Sequence, residues 1–178
     1  MFKRILAASL AMCLSSFAMA CPDFLTGEYR KLNSQKTVDL CELTANKAVL
    51  IVNTASHCGF TGQLKGLEKL HQEYQDKGLI IIGFPSNDFK QEAESEEKAA
   101  KVCFANNGVN FTMLAPSSVK GENANKVFAH LGSASEFPGW NFNKYLVDAE
   151  GNFVAHFGSR VKPNSKELLE KLESSLPK

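Results

Sequence analysis

The chain predicts an α/β fold in which a central mixed β-sheet is flanked by helices, and three observations carry that prediction. Two short β-branched runs, Ala48-Val-Leu-Ile-Val-Asn53 and Leu79-Ile-Ile-Ile-Gly-Phe84, have the length and composition of buried strands. Between them Leu64, Leu67, Leu70, His71 and Tyr74 recur at helical spacing, so the two strands are joined through a helix and must run parallel. Near the C-terminus two further apolar runs flank an acidic-glycine turn, the mark of an antiparallel hairpin.

The first twenty residues read as an export signal: Lys3 and Arg4 form a positive start, Ile5 to Phe17 an apolar run, and Ala18-Met19-Ala20 a small-residue cleavage pattern. Cleavage after Ala20 makes Cys21 the first mature residue. The apolar run is shorter than the roughly 20 residues a bilayer span needs, so no stable membrane insertion is expected. Residues 21–178 then form one domain. Its first strand and helix end at Gly78, which sits where a helix C-cap belongs. After the second strand, the acidic stretch from Lys90 to Lys101 predicts a helix, Val109 to Leu114 a connector, and Asn123 to Leu131 another helix. Tyr145 to Asp148 and Phe153 to Phe157 form the hairpin around Ala149-Glu150-Gly151-Asn152. Leu168, Leu169, Leu172 and Leu176 place one apolar stripe on a C-terminal helix. This order is that of a thioredoxin-like sandwich.

With 44% hydrophobic and 22% charged residues the composition is that of an ordinary globular domain. Lys3 and Arg4 belong to the signal, which leaves 18 basic against 19 acidic residues and no basic block. Such a balance offers no footprint for nucleic acid.

Cys58, in "NTASHCGFTG", falls between the end of a strand and the first turn of a helix. Unpaired backbone N–H groups and the positive end of the helix dipole there favour a thiolate over a thiol. A lone cysteine is often only a core filler. Ser56, His57, Gly59 and Thr61 are polar or small neighbours suited to an exposed turn, which favours a reactive thiol instead. His57 reads as a solvated or packed imidazole rather than a base, and no histidine spacing resembles a zinc site. No cofactor is expected.

Three motifs carry a resemblance. "VNTASHCGFT" resembles the peroxidatic-cysteine motif of the glutathione peroxidase family, "GFPSNDF" its second signature and "WNFNKYLV" its third, in the family's order and spacing from about Leu32 to Leu172. The resemblance implies a thioredoxin-like peroxidase whose cysteine is attacked by hydrogen peroxide or by organic hydroperoxides, lipid hydroperoxides included. It makes Cys58 the nucleophile and assigns Gln91, Trp140 and Asn141 to the polar cradle around it. Amide and indole N–H groups suit that task, because they donate to the charge appearing on the leaving oxygen and are not titrated away. Ser86 and Asp88 depart from the family pattern, and Gln91 is placed by assuming a one-residue deletion before it.

By the same resemblance Cys103, in "KAAKVCFANNGVNF", stands where thioredoxin-dependent members carry a resolving cysteine. Its alternative is a buried thiol on a helix face between Val102 and Phe104. The expected reductant is a thioredoxin-like protein or glutathione. Cys21 and Cys41 lie in no family motif, and in an oxidising compartment they read as a structural disulfide. Lipid attachment at Cys21 competes less well, since Ala18 replaces the usual leucine of a lipoprotein box. The expected setting is exported and periplasmic. A short "SASEFPGW" segment, where tetrameric relatives carry a longer loop, implies a monomer. The competing function is a peroxide sensor that passes its disulfide to a partner protein.

Overall fold

A computed structural model describes residues 21–178. The export signal read over residues 1–20 lies outside them. Five strands form the central sheet, in the order β5 (Thr112–Met113), β4 (Leu79–Pro85), β3 (Ala48–Thr54), β6 (Lys144–Val147), β7 (Phe153–Phe157). β3 pairs parallel with β4, with Ala48 opposite Leu79 and Thr54 opposite Pro85, and antiparallel with β6. β6 and β7 close the predicted hairpin. The mixed sheet is therefore the one that the sequence order predicts.

β3 is buried along its whole length because both sheet faces are covered. Its residues alternate between two apolar layers. Ala48, Leu50 and Val52 enter one, with Leu64, Leu67 and Leu70 of α2 (Gln63–Tyr74) and Leu168 and Leu172 of α5 (Lys166–Ser175). Val49 and Ile51 enter the other, with Phe84, Tyr145 and Val127, Phe128 and Leu131 of α4 (Lys126–Ala134). Each fully buried valine, leucine, isoleucine or phenylalanine among them contributes about 1.5–3 kcal/mol relative to exposure, enough to fix the strand's register. Gly78 ends the 3-10 turn Gln75–Lys77 that follows α2, with φ +93°, a conformation that L side chains rarely adopt.

The acidic stretch departs from its prediction. The helix α3 begins only at Glu96 (Glu96–Ala100) and continues as a π-helix over Lys101–Asn106, beyond Cys103. Lys90 reverses the chain at φ +59°, and the Ser95 hydroxyl accepts from the Lys98 N–H at 3.3 Å, so the helix is capped there. Residues 91–95 are instead an irregular strap that bends at Glu92, Glu94 and Ser95. The predicted connector holds the short edge strand β5, parallel to β4.

Ahead of the sheet, β1 (Glu28–Arg30) and β2 (Thr37–Asp39) pair antiparallel and lead into α1 (Leu40–Thr44). A disulfide joins Cys21 to Cys41, with Cα atoms 5.7 Å apart, and ties the start of the described chain to α1. Arg30 grips both carboxylate oxygens of Glu96, bolting the hairpin to the start of α3.

Candidate active site

The loop after β3 is wound by successive short-range bonds: Thr61 N–H to the Cys58 carbonyl at 3.0 Å, Gln63 N–H to Phe60 at 2.8 Å and Leu64 N–H to Thr61 at 3.0 Å. The Thr61 hydroxyl accepts from the Cys58 N–H at 3.1 Å and donates to the Ala55 carbonyl at 2.9 Å. These bonds fix the backbone at Cys58. Here the structure corrects the reading of an exposed turn: His57 and Gly59 are exposed, but Cys58 turns inward and is 7% exposed, within the apolar layer of α2. Because α2 starts only at Gln63, the sulfur is reached by the N–H of Phe60, at 3.4 Å, rather than by the helix's first turn.

Beyond β4 the Ser86 N–H donates to the Thr54 carbonyl at 3.0 Å, keeping the two strand ends together. Asp88 accepts from the Val119 N–H at 2.7 Å and from the Ser118 hydroxyl, so this departure from the family pattern pins the segment before α4. After the reversal at Lys90, the Gln91 carbonyl accepts from the His57 N–H at 2.9 Å. The Gln91 side-chain carbonyl accepts from Asn141 Nδ2 at 3.1 Å. Two bonds thus join three segments that are remote in sequence, those of Cys58, Gln91 and Asn141.

Asn141 is fully buried, and its Oδ1 has no hydrogen-bond partner among the described residues. Trp140 is 41% exposed and packs against Phe89, ring centroids 5.3 Å apart. With Phe60, Asn143, Ser159 and Arg160 it lines an open cavity of about 570 Å³. A second cavity of about 470 Å³ shares Phe60 and Arg160 with the first.

What holds Trp140 and Asn141 is a pair of asparagines that sequence reasoning did not single out. Asn53 Nδ2 donates to the Trp140 carbonyl at 3.0 Å, and Asn53 Oδ1 accepts from the Asn143 N–H at 2.9 Å. Asn143 Nδ2 adds a second bond to the same carbonyl at 2.8 Å. Phe142 between them takes φ +63°, a strained value for an aromatic residue that the surrounding bonds maintain. The only signal in the sequence was a polar residue in an otherwise apolar strand. Lys144, next in β6, is fully buried and donates to the Val161 carbonyl at 2.5 Å; burial brings its pKa down to about 8.

Cys103 lies in the π-helix, 4% exposed, in the same apolar layer as Cys58. Both are free thiols. Burial, reinforced by the negative charge of Glu92, pushes the Cys103 thiol up to about 12. At rest it is the buried thiol on a helix face that was its alternative reading.

A thioredoxin-like sandwich with an unpaired cysteine at the strand-to-helix turn, and amide and indole side chains gathered around that turn, defines a thiol-redox protein. The glutathione peroxidase family model matches residues 18–132, which include Cys58, Gln91 and Cys103. The chain belongs to the glutathione peroxidase family. It is 47% identical over 139 residues to the glutathione peroxidase-like peroxiredoxin 2 of Saccharomyces cerevisiae, covering 74% of this chain and 85% of the relative. The crystal structure of Trgpx in its apo form superposes with a TM-score of 0.66 at 26% identity, covering 85% of this chain and 94% of that one. A thioredoxin-family thiol:disulfide interchange protein from Chlorobium tepidum shares the fold, with a TM-score of 0.64 at 13% identity over 84% of this chain and 92% of its own.

Proposed function

We propose that the chain is a thiol peroxidase in which Cys58 reduces hydrogen peroxide and organic hydroperoxides and Cys103 resolves the product. The Cys58 thiolate attacks one peroxide oxygen, the O–O bond breaks, and the other oxygen leaves as water or an alcohol once protonated. Cys58 is left as a sulfenic acid, which over-oxidises unless a thiol condenses with it. The observation that carries this reading is the junction of the Cys58 loop with two segments remote in sequence, through the His57–Gln91 and Asn141–Gln91 bonds. Because Gln91 Oε1 is taken by Asn141, the Gln91 Nε2 is left to donate toward the reacting oxygens. The unpartnered Asn141 Oδ1 is a place for a peroxide O–H to donate, and the half-exposed Trp140 offers its indole N–H.

Condensation of Cys103 with the sulfenic acid gives a disulfide that a thioredoxin-like protein reduces; glutathione attacking Cys58 directly is the alternative reductant. The enzyme acts as a monomer in the periplasm, freed of residues 1–20. That setting agrees with the Cys21–Cys41 disulfide, which occupies the Cys21 sulfur. No helix among the described residues is long and apolar enough to cross a membrane.

Peroxide consumption by substoichiometric protein with a thioredoxin system tests the reading. Many turnovers are expected from the wild type and none from Cys58→Ser, while Trp140→Phe and Asn141→Ala should each slow the peroxide step by ~10²- to 10³-fold. A single turnover per molecule would make the protein a sensor, and turnover by Cys58→Ser would remove the nucleophile.

A further inference from the structure

We infer that His156 is a positioning residue for the peroxide step: its Nε2–H holds the Asn143 carboxamide in the one orientation that lets it grip the Trp140 carbonyl. This role rests on the one proposed above for the Trp140 indole and lies two hydrogen bonds further out.

His156 stands on β7 opposite Tyr145 of β6, and the two rings stack with centroids 4.3 Å apart and planes inclined by 6°. Its side chain is 11% exposed. The stack fixes the plane of the imidazole, so its two nitrogens face different groups. Nε2 lies 2.7 Å from Asn143 Oδ1, and Nδ1 lies 3.3 Å from Glu136 Oε1. The Tyr145 hydroxyl donates to the Glu136 carbonyl at 2.9 Å. Glu136 and Trp140 are the two ends of the segment "EFPGW". One stacked pair of rings therefore holds that segment at both ends, directly at Glu136 and through Asn143 at Trp140.

The partners decide which atom donates. Both amide hydrogens of Asn143 are used, one on the Trp140 carbonyl at 2.8 Å and one on the Ser159 hydroxyl at 3.1 Å. A carbonyl cannot donate, so Nδ2 must face Trp140 and Oδ1 must face His156. Nε2 consequently carries a proton in the neutral ring as well as in the cation, and only Nδ1 changes with pH. No other donor among the described residues reaches Asn143 Oδ1. Without it, Asn143, which is 4% exposed, has two states open to it: an unpaired buried carbonyl, or a half-turn of the carboxamide that sets an oxygen against the Trp140 carbonyl. The half-turn deprives that carbonyl of one of its two side-chain donors, leaving only Asn53. The titratable groups that face the ring are Glu136 from the segment after α4 and Lys144 and Tyr145 from β6. Burial holds the imidazole below its ordinary range; Glu136 opposes this and Lys144 adds to it.

Trp140 is the chain's only tryptophan, so indole fluorescence reports its placement alone. The full chain with Cys58 reduced would be compared with His156→Phe, which keeps a ring over Tyr145 but no donor, and with His156→Gln, whose amide N–H stands in for Nε2–H. The rate of the peroxide step by stopped flow and acrylamide quenching of the indole would be measured at pH 5.5 and pH 8. His156→Phe should slow the peroxide step about tenfold, less than loss of a direct donor does, and should raise the quenching constant. His156→Gln should recover most of both, and the ratio of wild-type to His156→Phe rates should be the same at the two pH values, because Nε2–H is present at both. In an Asn143→Ala background His156→Phe should change nothing further, since the link is already cut. Equal losses in the two His156 variants with unchanged quenching, effects of His156→Phe and Asn143→Ala that multiply, or an effect confined to pH 5.5 would each overturn the assignment. If His156→Phe does not fold, nitrogen-15 NMR of the wild type decides: the neutral His156 ring should carry its proton on Nε2, and a proton on Nδ1 would overturn the hydrogen bond. Trp140→Phe reacting at the wild-type rate would instead remove the indole from the reaction, a failure that the quenching and NMR readings separate from a failure of the His156–Asn143 bond.

Discussion

Asn53 decides where Trp140 and Asn141 stand, although it never enters the proposed reaction. Its two side-chain bonds reach across the sheet to the Trp140 carbonyl and the Asn143 N–H, and its own backbone carbonyl accepts from the Phe142 N–H at 2.7 Å. Asn53→Ala would remove the first two and leave a buried N–H without its acceptor. The expected cost is about 2–4 kcal/mol in urea denaturation, together with a slower peroxide step because the indole and the carboxamide lose their placement. A wild-type rate in Asn53→Ala would show that the segment holds its position unaided. Cys58 could be marked from the polar and small residues around it, whereas Gln91, Trp140 and Asn141 were assigned by the resemblance of their motifs. Asn53 could not, because its importance depends on a partner 90 residues away. That Cys58 turns inward was equally hidden: polar neighbours describe the backbone of the turn, whereas the thiol follows the packing of α2.

The segment that carries Cys103 is an element held at both ends by carboxylates. At its start Glu96 is gripped by Arg30 and by the Asn33 N–H at 2.9 Å; past its end Glu68 of α2 takes the Asn110 N–H at 2.7 Å and Asn110 Nδ2 at 2.9 Å. Between them the π-helix is the part most easily opened, since its hydrogen-bond pattern departs from the stable α-ladder. Burial pushes the Glu68 carboxyl up, but the bonds from Asn110, Gln72 and Phe111 outweigh it and leave it below the usual carboxylate range. A carboxyl depressed in the folded state contributes stability above the unfolded carboxylate range and loses it as pH falls through its own lower value. Acidification should therefore loosen residues 101–110 before the sheet, read as a selective fall in their amide protection factors by hydrogen exchange. Glu68→Gln should show the same loosening at neutral pH, at a cost of about 1–3 kcal/mol. Protection that falls evenly across the whole chain would contradict the clamp. The sequence placed a helix here but began it at Lys90, because acidic composition registers the helix and not the reversal at Lys90 or the cap at Ser95. β5 escaped for another reason: two residues carry no period, and only pairing with β4 makes them a strand.

For the whole molecule, the alternation along β3 sorts the chemistry. Even-numbered residues of the strand face the layer that contains Cys58 and Cys103, while odd-numbered ones face the layer closed by α4 and the N-terminal segment. That two-sided burial is legible as an unbroken apolar run, which is why the fold could be read so readily. Both thiols share that one layer, Cys58 in the loop after β3 and Cys103 in the π-helix. The measurement that bears most directly on this account is peptide mapping of the reduced protein after one equivalent of hydrogen peroxide. The account predicts a single new disulfide, Cys58 to Cys103, which thioredoxin returns to two thiols, with Cys21–Cys41 left intact. In Cys103→Ser, Cys58 should instead stop as a sulfenic acid and pass to sulfinic acid with excess peroxide. A wild-type protein in which Cys103 stays reduced after peroxide, while Cys58 is oxidised and is recovered by glutathione alone, would contradict the two-cysteine cycle.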